Sequence, residues 1–336
     1  MPSDTLHQDR ATTNELEAYV VSVAFAGSTT AFALGDGTLH LAPPKGDWTR
    51  METHDGAILA MAPTTDSWIT AGDDGHLRKT TQDATTTDIA TFGSKWVEQV
   101  ATHTDTKTKL VACAVGKTIH LFNGDEKLKT LDHPSTVTGL AFDAKGKRIA
   151  ASHYNGCSLW FVGAKTDTPR RLEWKGSHTG VALHPAGDAV VTCMQENSLH
   201  GWRLQDGQHM RMSGYPSKTE SLSFSRNGRW LASSGADSVV LWPFFGGGPM
   251  GKAPTELAGG DGVLCTRVAF QGQQDLVAAG FSDGLVVIAD LASERILPVA
   301  RPGHGPVTAL AWSPDGARLA FGTETGFAAL FDLSQR

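Results

Sequence analysis

One pattern recurs along most of this chain, and it constrains the fold more than any single motif. An apolar run leads to a polar turn, then to a second apolar run rich in Ala and Ser. Asp-Gly, Asn-Gly or a relative follows, and then a third run. VVSVAF (20–25) with TTAFALGDGTLHLA (29–42) is the first instance, and VTALAW (307–312) with RLAFGTETGFAALFD (318–332) is the last. Eight such units are present, and their first runs end at Phe25, Ala62, Thr102, Phe142, His184, Phe224, Phe270 and Trp312. The steps between them are 37, 40, 40, 42, 40, 46 and 42 residues.

A period near forty built from short segments points to an all-β propeller rather than to helical repeats. The segments are rich in Val, Phe, Thr and Trp and are broken by Gly and Asp, as strands in hairpins are. Asp36-Gly37, Asp74-Gly75, Asn155-Gly156 and Asp283-Gly284 supply turn residues that tolerate positive φ. The expected architecture is a single domain over 1–336 made of four-stranded antiparallel blades. Eight blades are expected from the count, with seven as the alternative. The units run approximately 18–53, 54–92, 93–132, 133–173, 174–213, 214–257, 258–300 and 301–336. The first strands are nearly all apolar, which predicts burial on both faces near the axis. The last unit has no candidate fourth strand, so a segment within residues 5–17 of the 1–17 tail is expected to close the ring. Without closure an unpaired strand edge would remain.

The units resemble WD repeats. GHGPVTALAWSPDGARLAFGTETGFAALFDL (303–333) carries the likeness best, with Gly303-His304 opening and Phe331-Asp332 where Trp-Asp would close. The unit at 133–161 has His133, Ser152 and Trp160, and the unit at 178–202 has His178, Thr192 and Trp202. The resemblance covers about residues 20–333. It implies that His54, His133, His178 and His304 work with Trp160, Trp202 and Trp242 in structural hydrogen-bonded networks within blades. The closing Trp is found only at 160, 202 and 242, and no intact Trp-Asp stands there. The networks are therefore expected to be partial.

Composition narrows function. The net charge of −6 argues against a general grip on nucleic acid, which needs a basic face. The N-terminus, MPSDTLHQDR, has neither the basic start nor the apolar core of a secretory signal, and no apolar run approaches 18 residues. A cytoplasmic protein without a membrane span is expected. Cys113, Cys157, Cys193 and Cys265 form no C-x-x-C pair and read as reduced core residues. His40, His120 and His200 fall at similar places in third strands of different units. Zinc ligands lie about 2 Å from the ion, and residues on separate blades do not converge that closely. Asp36, Asp74, Asp237 and Asp283 read as turn caps. No catalytic motif, metal site or cofactor is expected.

Two regions suggest contact with partners. The resemblance implies docking on loops that enter first strands or join second to third strands. The matching positions are Asp55, Asp73, Trp96, Tyr154, Gln195, Lys218, Asp261, Ser282 and Glu324, with Trp96 and Tyr154 as the best anchors. The insertion PFFGGGPMGKAP (243–254) accounts for the longest step and offers Phe244, Phe245 and Met250. The resemblance implies a non-enzymatic scaffold that binds other proteins or peptides. The alternatives are a hydrolase or lyase at the mouth of the central channel, with Glu98 and Arg267 as candidate groups, and, less favoured, a nucleic-acid binder.

Overall fold

The structure, a computed structural model, describes residues 10–105, 108–260 and 262–334. These form thirty strands, every pairing between them antiparallel. In the first complete unit Val20–Ala26, Thr29–Leu34, Thr38–Ala42 and Thr49–Glu52 hydrogen-bond in chain order. The same meander repeats in the sheets that begin at Ile58–Pro63, Gln99–Thr104, Leu222–Phe224 and Cys265–Phe270. The innermost strands contact one another in a closed ring, from Val20–Ala26 round to Val307–Trp312 and back. Threonine hydroxyls tie neighbours in that ring. Thr266 donates to the Val307 carbonyl at 2.7 Å, and Thr308 donates to the Val20 carbonyl at 2.6 Å.

The hydrogen bonds form seven sheets, six of four strands and one of six, where the repeat count called for eight separate ones. The difference lies in units four and five. Arg148–Phe161 runs through its own turn as one strand, and Arg170–Leu183 is equally continuous. The first half of Arg170–Leu183 pairs with 156–159, and its second half pairs with 190–194. The outermost strand of unit four therefore passes without a break into the innermost strand of unit five. Gly176 N–H donates to Asn155 Oδ1 at 3.2 Å and fastens the crossing to the hairpin turn.

Ala11–Glu15 pairs with Phe327–Asp332, with Ala11 opposite Phe331 and Glu15 opposite Phe327. Leu16 then buries itself among Val20, Ala309 and Leu330. Residues 1–9 lie outside the described residues. The burial of the first strands differs from expectation. They are only half-buried, as in Gln99–Thr104, whereas second strands such as Thr29–Leu34 and Ala189–Met194 are buried throughout. The physical reason is that first strands turn one face to the central channel, while second strands are covered by neighbouring sheets on both faces. The core is accordingly split into clusters between adjacent sheets, such as Phe32 and Leu34 against Ala320 and Leu330.

Tight glycine turns set the spacing of the loops. Gly75 sits at φ +81°, and a Cβ there would lie 1.9 Å from the Gly93 carbonyl oxygen. The turn thus receives the loop that leads to the next unit, and that loop carries Trp96.

Candidate partner-binding surfaces

The histidines come first, because they hold the loops. His54 is buried, with Nδ1 2.9 Å from Asp74 Oδ1 and Nε2 2.8 Å from the Thr70 hydroxyl. The acceptor-only carboxylate places the ring proton on Nδ1, so the Thr70 hydroxyl donates to Nε2. Asp74 also accepts the Asp55 N–H at 3.1 Å, which fixes the loop entering the second unit. In the fourth unit Trp160 Nε1 donates to His133 Nε2 at 3.0 Å, so Nδ1 carries the proton and donates to the Leu131 carbonyl. Burial, aided by the nearby His153, pushes His133 down to about 4. His178 Nε2 donates to the Trp174 carbonyl at 2.9 Å, while Nδ1 lies 2.7 Å from the Thr192 hydroxyl.

Two expected members depart from this pattern. His304 is exposed and stacks on Phe327, ring centres 3.7 Å apart, rather than joining a buried network. The indole N–H of Trp202 is buried without an acceptor, although its ring packs beside His178 and His200. Sequence reading also missed one member. Tyr215 takes the histidine's place in the sixth unit, accepting from Trp242 Nε1 at 2.6 Å and lying 2.5 Å from the Ser233 hydroxyl. Its spacing was a usable signal. It precedes Ser233 by 18 residues, where His54 precedes Thr70 by 16 and His178 precedes Thr192 by 14.

The rim positions are spread around one end of the ring and do not form one cluster. Several are occupied with backbone. Asp73 Oδ1 accepts the Ala57 N–H at 2.8 Å, and Ser282 Oγ accepts the Leu264 N–H at 3.0 Å. Lys218 pairs with Glu220 at 2.9 Å. Gln195 and Glu324 are exposed, with backbone N–H groups bonded to the Ser177 and Pro306 carbonyls. Asp261 lies outside the described residues. Asp36, Asp74 and Asp283 each accept an N–H two residues on, whereas Asp237 contributes its backbone carbonyl.

Two aromatics stand out. Trp96 is 59% exposed and Tyr154 is 57% exposed. Their backbones are nevertheless held, since Val97 N–H donates to the Gly72 carbonyl and Tyr154 N–H donates to Ser135 Oγ at 3.0 Å. Tyr154 also borders an open cleft of about 870 Å³ whose walls include Pro134, His153, Arg171, Lys175 and Trp174.

At the opposite end the insertion divides its apolar residues. Phe244 is 9% exposed and packs edge-on against Phe224, ring centres 5.0 Å apart, and beside His184. Phe245 is 40% exposed, with Lys252 4.8 Å and Arg229 5.3 Å from its ring centre and the Trp230 edge against it. Met250 is exposed. Phe244 therefore anchors the loop, and Phe245 and Met250 are presented to solvent.

The axial groups serve the frame. Glu98 accepts the Gly116 N–H at 3.2 Å, while Arg267 donates to the Thr308 carbonyl at 2.7 Å and pairs with Glu220 at 3.2 Å. Burial lowers His40, pushes His120 down to about 4 and, with His209 adjacent, pushes His200 down to about 3. Burial pushes the four cysteine thiols up to about 12. Among the described residues no three His, Cys, Asp or Glu side chains come together as metal ligands would. No helix is long and apolar enough to cross a membrane among the described residues.

A closed ring of antiparallel meanders with its loops gathered at two ends is a β-propeller. The Anaphase-promoting complex subunit 4 WD40 domain profile matches residues 268–336, and the WD domain, G-beta repeat profile matches 209–242. Two WD-repeat profiles thus match parts of a chain whose fold is that of the WD-repeat β-propellers. It is 26% identical over 184 residues to autophagy-related protein 16 of Arabidopsis thaliana, covering 53% of this chain and 35% of that protein. It is 24% identical over 177 residues to WD repeat and HMG-box DNA-binding protein 1 of Mus musculus, covering 51% of this chain and 15% of that one. The chain thus spans about a third or less of the curated relatives it matches. The crystal structure of the computationally designed Ika8 protein shares the fold, with a TM-score of 0.78 at 18% identity, covering 95% of this chain and 98% of that chain.

Proposed function

We propose that this chain is a non-enzymatic scaffold that binds other proteins or peptides through its loop ends, working as one unit in the cytoplasm. The observation that carries the reading is the pair Trp96 and Tyr154. Both are large aromatics left in solvent, Trp96 on a loop and Tyr154 within the strand Arg148–Phe161, with the adjoining backbone clamped to rigid sheets. Such residues lose little conformational freedom on binding and dominate interface energetics where they occur. Met250 and the half-exposed Phe245 offer a second, opposite contact. Binding of partners by related propellers supports the general role but not any particular partner.

The mouse relative's name includes DNA binding, but the net charge of −6 here favours protein partners over nucleic acid. Salt-sensitive retention of a random oligonucleotide would reverse that preference. The test of the scaffold reading is affinity capture from the native cell with mass spectrometry. It is run with the wild type, with Trp96→Ala and with Phe245→Ala/Met250→Ala, which leaves the core residue Phe244 in place. A partner set that shrinks in one variant supports the reading, and a set unchanged in both removes these surfaces from it.

A further inference from the structure

We propose that the first half of Arg170–Leu183, which forms the outer edge of the fourth unit, is a docking edge for an extended segment of a partner protein. That segment would carry an acidic, a basic and an acidic side chain at alternate positions. The inference rests on the scaffold reading and names the partner's chemistry. Side chains alternate along a strand, so Arg171 and Glu173 share one face; Lys175 follows where the register shifts and lines the same cleft as both. All three are exposed. None of the three side chains makes a hydrogen bond or ion pair among the described residues, although the Arg171 charge is felt by His153. Some charges on other outer strands are committed, although Lys127 and Arg211 are not. Arg50 pairs with Glu52, Asp88 with Arg78, and Lys129 with Asp167 at 2.8 Å.

The strand is also open where a partner would lie. Residues 170–173 are hydrogen-bonded along one edge, to 156–159, and the other edge of this first half pairs with no strand among the described residues, the pairing with 190–194 beginning only at His178. Opposite Glu173 stands Gly156, and opposite Arg171 stands Ser158. Gly156 is held at φ +143° with its missing Cβ position 2.2 Å from the Leu172 carbonyl oxygen, so no larger residue fills that place. Ser158 lines the 870 Å³ cleft between the charged residues and the wall of Pro134 and Tyr154. The frame is set in advance. Gly176 N–H is bonded to Asn155 Oδ1, Tyr154 N–H to Ser135 Oγ, and the Trp174 ring stacks on His200 at 4.0 Å.

A segment with the pattern acid-x-base-x-acid sets an opposite charge against each of the three groups. The inverted pattern sets like charges together, which is destabilising across strands. The edge therefore selects register as well as partner. A second copy of this chain paired symmetrically about Glu173 would face carboxylate to carboxylate.

The test uses a random ten-residue display library, selected on the full chain and on the Arg171→Glu/Lys175→Glu variant. The variant's melting temperature should match the wild type, because both side chains are exposed. Wild-type selection is expected to enrich Asp or Glu four positions apart with Lys or Arg between them. The variant should bind those peptides at least tenfold more weakly and enrich the inverted pattern. Enriched peptides without this pattern, or binding within twofold in the variant, overturn the proposal. So does a wild-type dimer that the variant abolishes, since the edge then serves self-association. Peptides lost in Trp96→Ala but unaffected by the charge reversal overturn the edge and leave the scaffold reading standing. No enrichment at all removes both.

Discussion

At the scale of single residues, some buried polar groups are matched and others, such as the Trp202 indole N–H, are not, and the matches carry consequences. Tyr215→Phe would leave the Trp242 indole N–H and the Ser233 hydroxyl to find new partners in the core. Loss of such a buried bond costs about 1–3 kcal/mol, which urea unfolding would resolve. The histidines give a pH signature. Burial lowers His54 and His178 and holds His120 and His133 at about 4. Each then binds fewer protons folded than unfolded between its folded value and the ordinary 6.5. Stability is therefore full above about pH 6.5 and declines as pH falls toward 4. The depressed carboxylates, such as Asp74 and Asp143, act in the same direction only below the ordinary 3.8. Thermal melts from pH 7.5 to 4 should show the decline, and a flat profile would contradict the burial of these rings.

At the scale of elements, the closing strand is the piece whose loss should matter most. Removing residues 1–17 takes away Ala11–Glu15 and the buried Leu16, and it bares the edge of Phe327–Asp332. A fall of about 5 °C or more in melting temperature is expected, with a rise in aggregation from the bared edge. Turn glycines are the other sensitive elements. Gly75→Ala must adopt φ +81° and press on the Gly93 carbonyl, so it should destabilise by more than about 1 kcal/mol in the same unfolding assay. The insertion divides similarly. Phe244→Ala empties a core position and should cost about 3–5 kcal/mol, while Phe245→Ala, losing a half-exposed ring, should cost much less.

At the scale of the whole molecule, a ring of sheets gives fixed loops at both ends without any loop having to order itself. Trp96→Ala is therefore expected to leave the melting temperature within about 1 °C, because the side chain is in solvent, while reducing partner capture at least fivefold. A melting temperature lowered together with capture would mean that Trp96 supports the frame instead of the partner.

The repeat period, the hairpin turns and the need for a closing strand were legible because they depend on local chemistry. Alternation, Asp-Gly turns and apolar runs are written within a few residues of where they act. His54 and His133 were legible for the same reason, through recurrent spacing. What depended on contacts between distant segments was not. Tyr215 substitutes for histidine only because Trp242 and Ser233 meet it across a blade. His304 stays in solvent because the Phe327 ring offers it a stacking face. The count of eight separate sheets failed where Asn155 captures Gly176 and one strand serves two units. The cleft beside that strand forms where Pro134 and Tyr154 come to face Arg171, Glu173 and Lys175. Sequence by itself determined the kind of element and its period, since those follow from neighbours along the chain. The tertiary structure alone decided which elements fused, which polar groups found partners and which charges were left free, since those follow from neighbours in space.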